Sequence, residues 1–175
     1  SRVFYALTRA GIKLSVHNRT LVLAQGAEEV AEKGRKDEQS KRLAALKGVY
    51  VFQVLTENEK EVLAGRLKST PFSAGETITR QGSVADWLYI ISSGAAEVRI
   101  YSEGSGEYRA VKTLGPGDFL GEGGLLTGEP RSATVVAETE VNCFRLDRKG
   151  FADILASRPE IAGAIAELLA KRRLE

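Results

Sequence analysis

The sequence has one cysteine, one histidine and no methionine in 175 residues. The lone Cys143 cannot close a disulfide within the chain, which suits a reducing compartment. It sits in the strand-like run Val141-Asn142-Cys143-Phe144-Arg145-Leu146, where packing or a surface position is the expected role. Cys143 and the single histidine, His17, lie far apart with no acidic partner suggested, which argues against a nucleophilic triad. Metal sites built from Cys and His are excluded by count. A clustered excess of one charge is also missing: Lys+Arg 25 against Asp+Glu 23 leaves +2, so a nucleic-acid surface has no support. No apolar run is long enough to span a membrane, and no signal-peptide pattern is present. A chain opening on Ser1 without Met is expected to be a piece of a longer protein with more of it upstream. What is there is ordinary for a packed domain, with 43% hydrophobic and 27% charged residues. The length allows one full domain and part of a second. This balance favours a binding module over an enzyme.

Three compositional regions follow one another. In residues 1–26, Arg2 to Ala10 has a helical pattern stopped by Gly11. Ile12, Leu14 and Val16 then alternate with polar residues, and Asn18-Arg19 reads as a turn before Thr20 to Leu23. A helix and two short strands of this size cannot bury a core, so the segment is expected to be the end of another domain. Residues 27–47 carry eleven charges of both signs and few large apolar side chains before Leu43 and Leu46. A solvated helical linker is the plain expectation, and a transmission helix between two domains is the sharper one.

Residues 48–175 read as a self-sufficient domain. Thr56-Glu57-Asn58-Glu59 is a capping box, followed by Val62, Leu63 and Leu67 as the expected buried face. After Pro71 the pattern changes to short strands: Asp86–Ser92, Ala96–Tyr101, Tyr108–Leu114, Ser132–Ala137 and Glu140–Leu146, with a hairpin turn at Glu103–Gly106. The chain then becomes helical again. Asp147 is the expected cap of one helix and Ser157-Arg158-Pro159-Glu160 a capping box for the last, with Ile161, Ile165, Leu168 and Leu169 as its apolar stripe. The fold class is α+β, an antiparallel β-roll (jelly roll) flanked by N-terminal helices and two C-terminal helices.

Nine of the 18 glycines fall between Gly94 and Gly128, most densely in 115–128. Residues from about Glu122 to Leu126 can form one helical turn whose first amides lack internal partners. Those amides, the helix dipole and close backbone approach at glycine favour an anion. Arg131, after Pro130, can fork onto two phosphate oxygens. Glu122 beside an anion makes sense facing a sugar hydroxyl, so the ligand would carry a phosphate and a hydroxyl close together. There is no Gly-Lys-Ser/Thr and no G-x-G-x-x-G. Glycine content alone favours a set of β-turns carrying a surface Arg and Glu.

Gly121-Glu122, Leu125-Leu126 and Pro130-Arg131-Ser132-Ala133-Thr134 resemble the phosphate-binding cassette of cyclic-nucleotide-binding domains. Phe72, Gly75, Ile78, Gly82, Leu88 to Gly94 and Glu97-Val98 fall in register with the same family, over about Leu46 to Arg173. The resemblance implies that Glu122 holds the ribose 2′-hydroxyl and Arg131 the cyclic phosphate, with amides of Gly121, Gly123, Gly124 and Ala133 completing the cradle. Gly123-Gly124 departs from the larger residue and alanine often found there. Ser132 stands where members preferring cGMP often have threonine, which implies cAMP as the ligand with cGMP still compatible. The last helix resembles the family's lid, with Leu168, Leu169 and Arg172 or Arg173 as candidate contacts to the base. Packing on the roll or on another subunit is an equal reading of that helix.

Phe4 to Ile12 and Arg19-Thr20-Leu21 resemble the end of the cytoplasmic domain of small-conductance mechanosensitive channels, although Leu14-Ser15-Val16-His17 replaces the prolines often found between them. This resemblance implies the sensor of a bacterial channel on the cytoplasmic side of the inner membrane, a pore upstream in the same chain, and a homo-oligomeric ring. The alternative is a regulatory or docking module of a non-channel protein, such as a truncated catabolite-activator-type transcription factor.

Overall fold

The computed structural model describes residues 6, 9–10, 24–102, 104 and 106–172. Helix α1 (Ala24–Gly48) is exposed along residues 29–37 and buries Ala45 and Leu46 near its end. Its exposed part carries the pairs Glu32–Lys36 (2.7 Å), Asp37–Lys41 (2.6 Å) and Glu38–Arg42 (3.2 Å), each one turn apart on the helix surface. Ala45 and Leu46 are buried at its C-terminal end, together with Val49 and with Val51 and Phe52 of the short turn Tyr50–Phe52. The charged stretch is therefore anchored by apolar residues just beyond it.

Helix α2 (Glu57–Arg66) starts at the expected capping box. The Glu59 amide donates to Thr56 Oγ1 (3.3 Å) and the Thr56 amide donates to Glu59 Oε2 (2.8 Å). Its buried face runs through Lys60, Leu63 and Ala64 and on to Leu67, whereas Val62 is 58% exposed. The expectation for Val62 is thus corrected. One residue is 100° of helix, which turns Val62 off the stripe that the 60/63/64/67 spacing defines.

Among the described residues eight strands form two antiparallel sheets, and the expected α+β roll with flanking helices is what they adopt. One sheet has the order β1 (Lys68–Phe72), β8 (Val141–Asp147), β3 (Trp87–Ser93), β6 (Phe119–Leu120). The other has the order β2 (Thr77–Thr79), β7 (Thr134–Ala137), β4 (Ala96–Ser102), β5 (Glu107–Leu114). Strand β1 was not assigned from the sequence because Pro71 lies inside it. Its place at a sheet edge, where no ladder donor is needed on one side, is what tolerates the proline. In the 103–106 hairpin, Gly106 has φ +69° and its amide donates to the Ser102 carbonyl (2.8 Å).

Alternation on β3 and β8 divides the interior in two. Leu88, Ile90, Phe144 and Leu146 pack with Leu46, Phe52, Leu63, Phe151, Ile161 and Ile165 under the helices. Tyr89, Ile91, Val141 and Cys143 face the roll interior with Phe72, Ala96, Leu114 and Val135. Cys143 is buried and donates from Sγ to the Thr70 carbonyl (2.9 Å), which gives it the packing role.

Helices α3 (Glu122–Thr127), α4 (Arg148–Ser157) and α5 (Pro159–Arg172) complete the order. Asp147 caps α4 as expected, accepting from the Gly150 amide (2.7 Å). The second capping box is corrected: Ser157 ends α4 and its hydroxyl donates to the Ile154 carbonyl (3.0 Å), so it does not cap α5. Arg158 occupies the junction and its guanidinium reaches back to Glu59 through Nε and Nη2, both at 2.8 Å. Pro159 is the first residue of α5, where its missing N–H costs nothing. No helix among the described residues is long and apolar enough to cross a membrane. His17 and the expected turn and strands of 12–23 lie outside the described residues, as do most residues of the channel-like segment.

Candidate functional site

Strand β6 delivers the chain to Gly121, which has φ +94° and precedes α3; Gly128, φ +79°, ends that helix. Left-handed backbone at both ends is affordable only because neither position carries a side chain. The six-residue helix matches the expected single turn at Glu122–Leu126. The amides of Glu122, Gly123 and Gly124 precede its first backbone bond, donated by Leu125 to the Gly121 carbonyl at 3.4 Å.

The loop that follows carries Arg131 and pins it on both sides. The Arg131 amide donates to the Ser83 carbonyl (2.9 Å), and its carbonyl accepts from the Gly82 amide (2.8 Å). The side chain is only 8% exposed. Nη2 donates to the Trp87 carbonyl at 2.6 Å, while Nη1 is buried without a hydrogen-bond partner. The guanidinium lies 6.0 Å from the Tyr89 ring centroid. Burial pushes the Arg131 pKa down from its ordinary value, and the neighbouring Tyr89, Glu122 and Asp86 oppose that shift. A buried cationic donor left unmade is costly unless an anion completes it.

Glu122 is 2% exposed at the start of α3 and acts electrostatically on Arg131. The space around the cassette is measured by its glycines. A Cβ at Gly121 would lie 1.9 Å from Arg131 Nη1 and 2.6 Å from the Trp87 carbonyl oxygen. One at Gly124 would lie 2.4 Å from Ala85 Cβ. One at Gly123 would sit 3.3 Å from Leu169 Cδ2, which places α5 against the cassette. Leu168 and Leu169 are partly buried there.

The fold therefore brings Gly121, Glu122, Gly123, Gly124 and Arg131 to one place, with Ala133 half-buried and Ser132 exposed on the same loop. Arg172 is the last residue of α5, but its side chain and Arg173 lie outside the described residues. The sequence reading missed Ala85, Trp87 and Tyr89. Trp87 acts through its carbonyl, which no residue type announces. Tyr89 was legible only as a strand residue, although an aromatic with a polar tip inside an apolar run is a usable signal. A cavity of about 430 Å³ lies elsewhere, bordered by Arg42, Arg66, Lys68 and Lys149; Arg42 and Arg66 are occupied by Glu38 and Asp153.

The family model described as "Cyclic nucleotide-binding domain" matches residues 69–158. The cGMP-dependent protein kinase of Toxoplasma gondii is 38% identical over 104 residues, which are 59% of this chain and 10% of that protein. The curated relatives matched are far longer, and the chain spans little more than a tenth of the first of them. Among solved structures, the regulatory domain of Toxoplasma gondii PKA with cAMP is 28% identical with TM-score 0.68, covering 81% of this chain and 51% of that one. The Thermus thermophilus catabolite activator protein is 30% identical with TM-score 0.63, covering 70% of this chain and 57% of that one.

Proposed function

The chain belongs to the cyclic nucleotide-binding domain family, and we propose that it is a regulatory domain whose cassette binds a purine 3′,5′-cyclic nucleotide, cAMP in preference to cGMP. The observation that carries this reading is Arg131 Nη1, a buried cationic donor without a partner, held against Gly121 by the Trp87 carbonyl. The cyclic phosphate completes that donor, and the glycine-rich backbone at the start of α3 adds to the cradle. Glu122 accepts from the ribose 2′-hydroxyl, which a 3′,5′-cyclic phosphate leaves free. Exposed Ser132 stands where members preferring cGMP often have threonine, which favours cAMP, while its hydroxyl remains able to bond guanine. The packing of Leu169 on Gly123 supports α5 as the lid, with Arg172 or Arg173 toward the base. The domain binds its ligand and catalyses nothing.

The test is calorimetric titration of the chain and of Arg131→Ala with cAMP and cGMP. Hydrogen bonds to charged groups contribute roughly 1.5–3 kcal/mol, so affinity is expected to fall at least about tenfold in the variant. No heat with either nucleotide would overturn the reading.

The output we propose is gating of a bacterial mechanosensitive-type channel with its pore upstream in the same chain. The domain then sits on the cytoplasmic side of the inner membrane in a homo-oligomer. Support comes from Phe4–Ile12 and Arg19–Leu21, which resemble the end of such a channel's cytoplasmic domain. Ligand must then shift a two-state equilibrium, and moving from 1:99 to 99:1 takes about 5.5 kcal/mol of differential affinity. A second reading, a regulator of the catabolite-activator type or another docking module, is favoured by the likeness to the Thermus thermophilus protein. Sequencing the gene on both sides discriminates them: pore-like apolar helices upstream support the channel, and a helix-turn-helix downstream supports the regulator.

A further inference from the structure

The cassette uses Arg131 and leaves Arg145 on β8 without a task. Tyr89 and Arg145 are cross-strand partners in the β3–β8 ladder, so their side chains share one face. Arg145 stacks its guanidinium 4.3 Å from the Trp87 ring centroid, and its charge acts on the Tyr89 side chain. Its Nε is buried without a partner, and Nη2 donates to the Arg9 carbonyl at 3.5 Å. Arg9, 62 and 67 positions before Pro71 and Glu76, forks onto Glu76 at 2.9 and 3.3 Å and donates to the Pro71 carbonyl. Its guanidinium covers the Phe72 ring at 4.4 Å, and Phe72 in turn meets Tyr89 edge-on at 6.2 Å. Trp87 and Tyr89 thus stand between the two arginines: Arg131 takes the Trp87 carbonyl and faces the Tyr89 ring, while Arg145 stacks on the Trp87 ring and lies across the ladder from Tyr89.

We propose that Pro71, Phe72, Glu76 and Arg145 form an intramolecular docking site for Arg9, and that anion binding at Arg131 tightens this site through Trp87 and Tyr89. The direction follows from charge. Arg131, Arg145 and Arg9 form a row in which the first two both act on Tyr89 and the second reaches the Arg9 carbonyl; of the three, the half-buried Glu76 pairs with Arg9, while also accepting from the Ser73 amide. An anion on Nη1 of Arg131 neutralises one end of the row and relieves its repulsion on the other two, in surroundings where burial strengthens such terms. The arrangement links Arg9 to the ligand by a route that does not pass through α5. The tightening rests on the nucleotide reading above; the docking site does not.

Hydrogen exchange at the amides of residues 6–10 in the whole chain tests both halves. Without nucleotide, Glu76→Gln is expected to speed exchange there; unchanged exchange overturns the docking site. Saturating cAMP is expected to slow it about fivefold or more in the unsubstituted chain, the lower range of measured allosteric couplings. Arg145→Lys is expected to bind cAMP by calorimetry yet lose that slowing, because an ammonium cannot both stack flat on Trp87 and reach the Arg9 carbonyl. Arg145→Gln supplies the same comparison should Arg145→Lys fail to fold. Bound cAMP with unchanged exchange at 6–10, or slowing that persists in the Arg145 variant, overturns the coupling. Absence of heat with both nucleotides sinks the functional reading and the coupling together, and the Glu76→Gln comparison then decides the docking site alone.

Discussion

Gly121 and Arg131 occupy a space with room for only one side chain: a Cβ on residue 121 would lie 1.9 Å from Nη1 of Arg131. Ten positions apart in sequence, they are joined because α3 turns the chain back and the Gly82–Ser83 turn holds the arginine's backbone. Gly121→Ala is therefore expected to fail twice. Its φ of +94° is strained for alanine, at roughly 1–2 kcal/mol, and its methyl evicts the guanidinium. Thermal melting should show the first effect and calorimetry with cAMP a loss greater than tenfold; a variant binding as tightly as the parent would show that Arg131 does not work from this position.

The adjacent glycines of α3 should respond oppositely to alanine. At Gly123 the added methyl meets only the tip of Leu169 at 3.3 Å, so the helical gain of roughly 0.5–1 kcal/mol is expected to survive. At Gly124 it meets Ala85 Cβ at 2.4 Å and the Glu129 carbonyl oxygen at 2.6 Å, neither of which can swing away. Overpacking of that kind costs roughly 1–3 kcal/mol. Paired melts of the two variants check the contrast, which equal melting temperatures would refute.

Leu46 is fully buried at the end of the charged helix, among Phe52, Leu63 and Ile161. Leu46→Ala is expected to destabilise the whole roll by about 2–5 kcal/mol in urea unfolding. An exposed substitution on the same helix, Val30→Ala, should change little. Equal effects would mean that α1 is not part of the cooperative unit.

Arg158 holds the Glu59 carboxyl far below its usual value of 4.5, at about 2, with the Thr56 hydroxyl and amide adding to the effect. A depressed carboxylate stabilises the fold fully above its unfolded value and progressively less as pH falls toward the folded one. The stability gap between the parent and Glu59→Gln should thus be constant above about pH 4.5 and close between there and about 2. Urea titrations at a series of pH values measure it; a gap that persists at the acid end would assign the effect to packing.

Legibility in the sequence followed the range of the interaction. Thr56 and Asp147 declared themselves because a cap and its target lie three residues apart. Glu122 and Arg131 were visible as a pair because the cassette is a contiguous stretch with distinctive residue types. Ser157 misled because its three-residue spacing to Glu160 is shared with residues that end helices, and what decides the junction is Arg158 reaching Glu59 across the fold. Pro71 hid β1, since only the sheet order reveals that the strand is an edge. Trp87 was invisible as a site residue because its contribution to Arg131 is a carbonyl that every residue possesses.

Burial that lifts the Cys143 thiol to about 12 has a practical consequence. Reagents that capture thiolates find almost none at neutral pH, and the sulfur is sealed between the strands. A fluorophore or spin label placed through a cysteine introduced at Val84, which is 72% exposed, would report from that one point on the surface without the native residue having to be removed.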